Sequence, residues 1–276
     1  TTFTGYDELK GEATVLSVVK DDTETDNLPE SSEGLVVLDS TPFYAESGGQ
    51  IGDGGRLTWP GGSFEVTDTH YLAHKVIAHA GRVVSGTLKP GLNVSAAVAQ
   101  QGRVETAANH SATHLLHAAL REVLGGHVEQ KGSLVEPARL RFDFSHGESM
   151  SVTQLDEVER IVNVQIRAND DVSTRLMALD DARDEGAAAL FGERYEEQVR
   201  VVAMGDFSLE LCGGTHVQRT GDIGAFRILS ESGIAAGVRR LEALTGEMAR
   251  QHGTGETATL SRLAALLKTG RTDLEE

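Results

Sequence analysis

The sequence predicts an α+β fold, with a small β-barrel-like N-terminal domain followed by a two-layer α/β core. Two observations carry this prediction. The first 100 residues contain short apolar runs separated by Gly, Pro, Asp or Ser, which is the pattern of strands and turns. Beyond residue 100, helical periods alternate with strand-like runs, as in layered α+β structures. The chain of 276 residues is long enough for more than one domain.

Three domains are predicted, over residues 1–100, 101–245 and 246–276. The strand-like runs of the first are EATVLSVVK, GLVVLDS, GRLTW, SFEVTDTHY and HKVIAHA. The third is polar and helix-prone, is interrupted by HGTGE, and is predicted to be a helical linker toward a missing C-terminal region. Because the chain lacks an initial methionine and a signal-like segment, we expect it to be a piece of a longer polypeptide.

The predicted core consists of interspersed helices and strands. Helices are predicted over 103–124 and 152–169, and Thr153 with Asp156 forms a weak capping pattern for the second. RLRFDFS, DVSTRLMAL and QVRVVAMG read as strands, and DDARDEGAAALF reads as a short helix. FSLELCGGTHV is predicted to run from a strand into a Gly-Gly turn.

Charge and composition exclude several classes of protein. A formal net charge of −17 argues against a general nucleic-acid binder, which should carry a basic field. Residues 1–60 carry 12 acidic and 3 basic residues, so a local basic patch remains possible later in the chain. No apolar run approaches the roughly 18 residues of a membrane span. A single cysteine excludes an internal disulfide, and we expect a reducing, cytoplasmic location.

The run ANHSATHLLHAAL places three histidines on one predicted helix. His110 and His114 are four residues apart, so their rings lie one turn apart on one face and can address one atom. His117 lies near that face but one turn further along, beyond easy reach of the same ion. Two histidines at this spacing are by themselves a weak signal, because they also occur in helices that bind no metal.

The motif CGGTH supplies a second pair of metal-ligand residue types. Cys212 lies four residues before His216, across two glycines that permit a tight turn. The alternatives are a small buried cysteine and a histidine satisfied by the backbone. Joined to His110 and His114, the pair forms a Cys-His₃ set, and zinc takes such nitrogen and sulfur ligands. The sequence therefore predicts a zinc site.

The helix pair differs from that of the zinc proteases. Residues 111–113 are Ser-Ala-Thr, so no glutamate follows the first histidine to act as a general base. A predicted metal at this position therefore serves a reaction other than peptide hydrolysis, or a structural role.

Four motifs, in order, resemble the editing domain of bacterial alanyl-tRNA synthetases. They are TPFYAESGGQIGDGG, NHSATHLLHAALREVLGGHVEQKGSLVEPARLRFDFSH, LELCGGTHV and ILSESGIAAGVRRLEALTG. Free-standing alanyl editing proteins share them, and a related module of threonyl-tRNA synthetase has a similar helix. The resemblance covers nearly all of residues 1–245. No stretch resembles a class II aminoacylation core, so we expect that the chain does not activate alanine.

The resemblance implies hydrolysis of the ester that joins serine or glycine to tRNA(Ala), as part of alanine–tRNA ligase. A site that hydrogen-bonds the serine hydroxyl can spare alanyl-tRNA by a factor of about 10⁴ or more. The resemblance also implies catalytic roles for Gln130 and Cys212. Gln130 is also the implied contact to the amino acid, with a surface glutamine in a loop as the alternative. Ser133 and Thr113 are weaker candidates for contact with the substrate, because either hydroxyl could instead satisfy the backbone. Arg239 and Arg240 are candidates to hold the terminal phosphates of tRNA, with an ordinary exposed charge as the alternative, and because consecutive strand residues face opposite ways we expect only one of them to do so.

The role of zinc stays open at this point. Four protein ligands close a tetrahedral site, which is normally structural, whereas a catalytic zinc keeps a position for water or substrate. One candidate ligand could be exchangeable, the coordination could expand, or zinc could orient the substrate through its amino group. Two other functions also remain, a zinc-stabilised non-catalytic tRNA-binding module and a general metallohydrolase of small esters.

Overall fold

A computed structural model describes residues 1–188 and 197–274 of the chain. The strands of this part are β1 (Thr2–Phe3), β2 (Lys10–Lys20), β3 (Thr23–Thr25), β4 (Leu28–Pro29), β5 (Glu33–Leu38), β6 (Ser40–Thr41), β7 (Gly55–Trp59), β8 (Gly62–Tyr71), β9 (Ile77–Ser85), β10 (Thr87–Leu88), β11 (Asn93–Val98), β12 (Gln130–Val135), β13 (Leu140–Ser145), β14 (Val172–Ala178), β15 (Gln198–Met204), β16 (Ser208–Leu211), β17 (Phe226–Ala235) and β18 (Val238–Thr245). The α-helices are α1 (Gln100–Leu124), α2 (Val152–Ala168), α3 (Leu179–Asp184) and α4 (Gly246–Leu267).

The first part of the chain folds into a closed antiparallel barrel. Its strands follow the hydrogen-bonded order β11, β7, β8, β9, β5 and β2, and β11 pairs back onto β2 to close the ring. Alternate side chains of these strands point inward, and they bury an apolar core that includes Val18, Val36, Leu57 and Phe64. Closure leaves the barrel without a free edge. The predicted β-barrel-like N-terminal unit is confirmed.

The second part is built on two antiparallel sheets and two long helices. One sheet has the order β12, β13, β18 and β17, and the other has the order β14, β15 and β16. Leu116 of α1 and Val162 of α2 belong to the same buried core as Phe142 and Phe144. The two phenylalanines are two positions apart on β13 and therefore share one face of the sheet. The helices thus cover one face of the four-stranded sheet, and the α+β class is confirmed.

The helix ends differ in detail from the prediction. α1 begins at Gln100, three residues early, because Arg103 N already bonds to Ala99 O at 3.1 Å directly after β11. The cap of α2 is Ser151, not Thr153: Ser151 Oγ accepts from Gln154 N at 3.2 Å, and Ser151 N donates to Gln154 Oε1 at 2.9 Å. The capping box lies two residues upstream because the helix begins at Val152.

The last helix corrects a second expectation. The HGTGE stretch does not interrupt it, since α4 runs without a break through Gly253 and Gly255. Each glycine costs a helix only about 1 kcal/mol relative to alanine, which twenty other helical positions can outweigh. The short helix predicted in DDARDEGAAALF is α3, and positions 189–191 of that stretch lie outside the described residues. Within the described chain, no helix has both the length and the apolar character needed to cross a membrane.

Candidate metal centre

The helix α1 carries His110 and His114 into the junction between its sheet and the barrel. Both side chains are buried, with exposed fractions of 5% and 4%. Their rings are stacked with centroids 5.3 Å apart and planes 11° from parallel, as expected for positions one helical turn apart. The two imidazoles therefore face the same point.

The turn after β16 brings the other two residues to that point. Cys212 follows directly on the strand, and His216 follows the two glycines. A Cβ atom on Gly214 would lie 2.1 Å from Cε1 of His110, so only glycine lets the turn approach the helix this closely. Arg200 fixes the backbone of the turn, because its Nη1 donates to Cys212 O at 3.0 Å and to Gly214 O at 2.8 Å.

The four side chains form one compact cluster of possible ligand atoms. One nitrogen or sulfur atom from each of His110, His114, Cys212 and His216 lies within 4.8 Å of the others. Cys212 Sγ is 3.4 Å from His110 Nε2 and 3.3 Å from His216 Nε2. Ligands of a tetrahedral zinc, at about 2.05 Å for nitrogen and 2.3 Å for sulfur, lie about 3.5 Å apart. The predicted residues are therefore brought together at a spacing that fits a zinc ion.

An unsatisfied atom supports the fit. His114 Nε2 and His117 Nε2 are both buried without a hydrogen-bond partner among the described residues, and of these two residues only His114 belongs to the cluster. A buried polar atom without a partner is unusual, and a metal ion would supply one here. The donor set of one thiolate and three imidazoles is also the kind that zinc prefers.

Each candidate histidine is oriented by a second residue at its other nitrogen. His110 Nδ1 is 2.7 Å from Gln50 Oε1, and His114 Nδ1 is 2.5 Å from Glu210 Oε2. His216 Nδ1 is 3.2 Å from Ser111 Oγ. Such outer partners fix the tautomer and ring orientation of metal-binding histidines, and they leave Nε2 free for the ion.

The third helix histidine, His117, lies outside the cluster, as its spacing predicted. Its Nδ1 is 2.7 Å from Glu210 Oε1, and its ring centroid lies 5.4 Å from that of Phe142. Glu210 is 3% exposed and so joins His117 to the cluster ligand His114 through one buried carboxylate. The three histidines of α1 therefore have two roles, two as candidate ligands and one as a support.

The charges in the centre favour the ligand form of the cysteine. Burial raises the pKa of the Cys212 thiol, but the imidazoles of His110, His216 and His114 outweigh it and hold the pKa well below its usual range. For His114, burial by itself would lower the pKa, but the nearby Glu210 carboxylate outweighs burial, and the pKa is raised. A divalent ion, a thiolate and the Glu210 carboxylate together carry no net charge, which suits a buried site.

The residues predicted to contact the substrate lie on α1 and β12. Gln130 opens β12 half-buried, beside a β-bulge in the pairing with β13. Ser133 lies further along β12, where the backbone of Gly49 packs against it. Thr113 is buried on α1, and its hydroxyl donates to Asn109 O at 2.8 Å, which leaves the oxygen able to accept.

The two arginines predicted to contact tRNA are both in ion pairs with carboxylates. Arg239 of β18 donates twice to Glu231, through Nε and through Nη2 at 2.7 Å. Arg240 donates to both oxygens of Asp143, at 2.6 and 2.7 Å. Arg240 is the more exposed side chain, at 30% against 15%. A tRNA phosphate that bound either arginine would have to share it with the carboxylate already paired to that arginine. The tRNA contact therefore stays a prediction.

The residues that orient the candidate ligands were not predicted, although Glu210 left a signal in the sequence. Glu210 lies two positions before Cys212, so along a strand their side chains share a face. Ser111 lies one position after His110, and its hydroxyl also accepts from Val217 N at 3.1 Å. Gln50 lies 60 residues from His110 in another part of the fold, and no local pattern connects them.

Comparison with known proteins matches two family models. One describes "tRNA synthetases class II (A)" and covers residues 1–102. The other describes "Threonyl and Alanyl tRNA synthetase second additional domain" and covers residues 199–242, which include the CGGTH turn.

Individual relatives align along nearly the whole chain. Alanine–tRNA ligases of Nitrosomonas eutropha and Shewanella loihica are each 55% identical over 97% of the chain. That of Idiomarina loihiensis is 55% identical over 100% of it. The chain spans only 31%, 30% and 32% of the lengths of these three relatives, respectively. Over the region that it shares with them, the chain belongs to the alanyl-tRNA synthetase family.

Proposed function

We propose that the chain hydrolyses the ester of tRNA(Ala) mischarged with serine or glycine, as the editing part of an alanine–tRNA ligase. The observation that carries the proposal is the cluster of His110, His114, Cys212 and His216. It stands in a chain whose relatives are alanine–tRNA ligases. The proposed partners are the tRNA and the rest of the synthetase chain, and the proposed location is the cytoplasm.

We propose zinc as the metal held by these four residues. When bound, zinc supplies a Lewis acid for the ester and can lower the pKa of a bound water to about 7. The chain's own part is to hold the ion through three Nε2 atoms and one thiolate, and to fix each imidazole at Nδ1. His216 is the candidate ligand that is least buried, so it faces the side from which a substrate arrives.

The proposed selectivity rests on neutral hydrogen-bonding groups near α1 and β12. The Gln130 amide offers both a donor and an acceptor to a serine hydroxyl, and Thr113 Oγ1 keeps lone pairs to accept from it. Alanine has no hydroxyl and leaves these groups unpaired, so they favour serine over alanine; they do not distinguish glycine from alanine. Ser133 is the third proposed contact, and Arg240 is the better exposed of the two proposed tRNA contacts.

The test is single-turnover deacylation of seryl-, glycyl- and alanyl-tRNA(Ala) by the zinc-loaded chain, at saturating protein. We expect rapid loss of serine and glycine and slow loss of alanine. Chelation of the metal should abolish the difference. Failure to accelerate hydrolysis of either mischarged tRNA would refute the proposal and leave a tRNA-binding module. Equal hydrolysis of free aminoacyl esters would instead indicate a general esterase.

The role of Gln130 is tested by Gln130→Ala. Loss of one neutral hydrogen bond costs about 0.5–1.5 kcal/mol, so seryl hydrolysis should slow several-fold more than glycyl hydrolysis. Gln101→Ala, which changes an exposed glutamine at the start of α1, is the matched control. Equal slowing on both substrates would assign Gln130 to general positioning or catalysis.

The metal assignment is tested by zinc content per chain. His114→Ala and Cys212→Ala should each lower the bound zinc, because each removes one of four ligands. Full retention of zinc in both variants would contradict the ligand set.

A further inference from the structure

The first residue of β12 points toward α1. Gln130 lies directly opposite Phe144 in the pairing with β13, and residues opposite one another in an antiparallel pair point to the same face of the sheet. Phe144 is fully buried in the core that the sheet shares with α1, so Gln130 points to that side and is half-buried at the end of the strand. Among the described residues, its side-chain amide has no hydrogen-bond partner. The position of this amide therefore depends on the backbone that carries it.

A β-bulge follows Gln130 directly. The register of the pairing shifts between Gln130 and Gly132, so Lys131 is the extra residue of β12. A Cβ atom on Gly132 would lie 3.0 Å from Asp143 Oδ2, so the strand packs closely on β13 again where the bulge ends. A bulge re-aims a side chain and interrupts the ladder of backbone hydrogen bonds. The backbone at Gln130 therefore depends on support from outside the ladder.

The hydroxyl of Ser145, the last residue of β13, supplies this support. Ser145 Oγ donates to His127 O at 2.8 Å and accepts from Glu129 N at 2.9 Å. Ser145 N in turn donates to Glu129 O at 3.0 Å. A serine hydroxyl can both donate and accept, so one side chain holds a carbonyl and an amide of the connection between α1 and β12. The backbone immediately before Gln130 is thereby fixed to the end of β13.

A pair of histidines holds the same connection through side chains. His127 Nε2 lies 2.9 Å from His146 Nδ1, and the two rings are stacked with centroids 5.2 Å apart. His146 N donates to Gly237 O at 3.0 Å, in the turn between β17 and β18. A single neutral hydrogen bond contributes only about 0.5–1.5 kcal/mol to stability, so this pair adds to the serine contacts and does not replace them.

We propose that Ser145 is a positioning residue for editing, which holds Gln130 where its amide meets the side chain of the wrongly attached amino acid. His146 contributes to the same role through His127. The proposal rests on the proposed function, because it takes Gln130 as the contact to serine. Ser145 acts through Gln130 and not on the substrate. Such positioning matters, because a displacement of about 1 Å can slow a reaction by up to about 100-fold.

The test compares single-turnover deacylation of seryl- and glycyl-tRNA(Ala) by the zinc-loaded chain. Ser145→Ala should lower the ratio of the seryl rate to the glycyl rate about 2- to 10-fold, the range for loss of one neutral hydrogen bond, because the amide no longer meets the serine hydroxyl. Ser145→Thr keeps a hydroxyl on a strand residue and should restore most of the ratio. Ser230→Ala is the matched control: it removes a serine hydroxyl from β17, at the opposite edge of the same sheet, and should leave the ratio unchanged.

A double-mutant cycle with Gln130→Ala separates positioning from a merely structural role. If Ser145 acts through Gln130, adding Ser145→Ala to Gln130→Ala should leave both rates nearly unchanged. A serine that only stabilises the fold would slow the double variant further, by the factor that it shows in the wild type. His146→Ala examines the connection at an independent residue and should lower the ratio in the same direction by a smaller factor. Zinc content and thermal unfolding are measured for every variant.

Backbone hydrogen exchange gives a readout that does not depend on the reaction. Glu129 N loses its acceptor in Ser145→Ala, so a peptide over residues 127–131 should exchange faster than in the wild type, and Ser145→Thr should restore its protection. Unchanged exchange, an unchanged ratio in Ser145→Ala, or independent effects in the double-mutant cycle would each overturn the inference while wild-type deacylation upholds the proposed function. Absence of deacylation by the wild type would refute the proposed function itself. Faster exchange would then show that the serine holds the backbone without serving editing.

Discussion

Glu210 accepts hydrogen bonds from two buried imidazoles, and this sets how His114 can meet a metal ion. An ionised carboxylate only accepts, so Nδ1 of both His114 and His117 carries a proton. Because Glu210 holds the proton on Nδ1, Nε2 is the nitrogen of His114 that can lose its proton and bind a metal ion. The amide of a glutamine has one accepting oxygen and a donating NH₂ group, so it can serve only one of the two imidazoles.

Glu210→Gln is expected to weaken zinc binding about 10- to 100-fold, the usual effect of removing an outer partner of a ligand. The measurement is competition with a chelator of known affinity at pH 7. Glu231→Gln, which removes a carboxylate that is 7% exposed and paired with Arg239, is the matched control. Equal zinc affinity of the two variants would show that the carboxylate does not orient His114.

The sequence predicted the candidate ligands better than the residues that orient them. The four ligands carry residue types and spacings that metals select, so His110, His114, Cys212 and His216 stand out. Gln50 and Ser111 are ordinary polar residues, and they gain their roles only when the chain brings them to Nδ1 of a ligand. Only Glu210 left a local signal, by sharing a strand face with Cys212.

His79 in the barrel gives a prediction for pH. It is fully buried, with Nδ1 2.9 Å from Val36 O and Nε2 2.7 Å from Thr41 Oγ1. Burial lowers its pKa from 6.5 to about 4. Between these values the unfolded chain binds a proton that the folded chain does not. The free energy of unfolding should therefore fall as the pH falls from 6.5 to 4, by about 3 kcal/mol for this group.

The pH effect is measured by urea unfolding at several pH values in the presence of chelator. His79→Gln should remove about 3 kcal/mol from the difference between pH 7 and pH 4. His252→Gln, at a 37% exposed position of α4, should leave the difference as in the wild type. An unchanged pH dependence in His79→Gln would mean that the buried imidazole does not resist protonation.

The turn after β16 shows how an element positions the site. Its two glycines, Gly213 and Gly214, are adjacent in the sequence but differ in the space around the position of a Cβ atom. A Cβ at Gly214 would meet the His110 ring and lie 2.9 Å from Gln50 Oε1, whereas a Cβ at Gly213 would meet nothing within 4 Å. Neither glycine has a positive φ, so the difference is one of space and not of backbone strain.

Gly214→Ala is therefore expected to displace the turn or the His110 ring and to lower zinc affinity at least about tenfold, as loss of ligand geometry does. Gly213→Ala is the matched control and should bind zinc like the wild type. Chelator competition measures both. Similar affinities for the two variants would contradict the close approach of the turn to α1.

Element types were predictable from the sequence, and element ends were less so. The change of hydrophobic period near residue 100 coincides with the step from β11 to α1. The cap of α2 was misplaced because Ser151 and Thr153 both precede acceptable partners, and only the start of the helix decides between them. The break predicted at HGTGE was wrong because α4 is long enough to tolerate two glycines in its interior.

The glycine-rich loop of the barrel completes the candidate metal centre. Gly49 O accepts from Val135 N at 2.7 Å, which docks the loop onto the end of β12. Gln50 then reaches both His110 Nδ1 and, through its amide nitrogen, Thr215 Oγ1 at 2.9 Å. Contacts across 60 to 165 residues depend on the assembled fold, so no local pattern could predict them. The division into three domains stays a prediction, and these contacts couple the first two.

A buried ion pair fastens this loop to the start of α1. Asp53 lies three residues after Gln50 and accepts from Arg103 Nε at 3.1 and 3.2 Å and from Tyr44 N at 2.6 Å. Arg103 also donates to Gly5 O at 2.6 Å, and both charged side chains are at most 7% exposed. Removing one partner of such a pair leaves a buried charge uncompensated, which costs about 3–5 kcal/mol.

Asp53→Asn is expected to lower the free energy of unfolding by that amount, about 3–5 kcal/mol, while keeping the shape of the side chain. It should also weaken zinc binding, because the loop that holds Gln50 against His110 loses its anchor. Urea unfolding and chelator competition at pH 7 measure the two effects. Glu65→Gln is the control: its pair with Arg82 is 3.9 Å long and about half exposed, so its loss should cost less than about 1 kcal/mol. If Asp53→Asn unfolds like Glu65→Gln, the ion pair does not hold barrel and helix together. If Asp53→Asn is destabilised but binds zinc with wild-type affinity, Gln50 stays in place without that anchor.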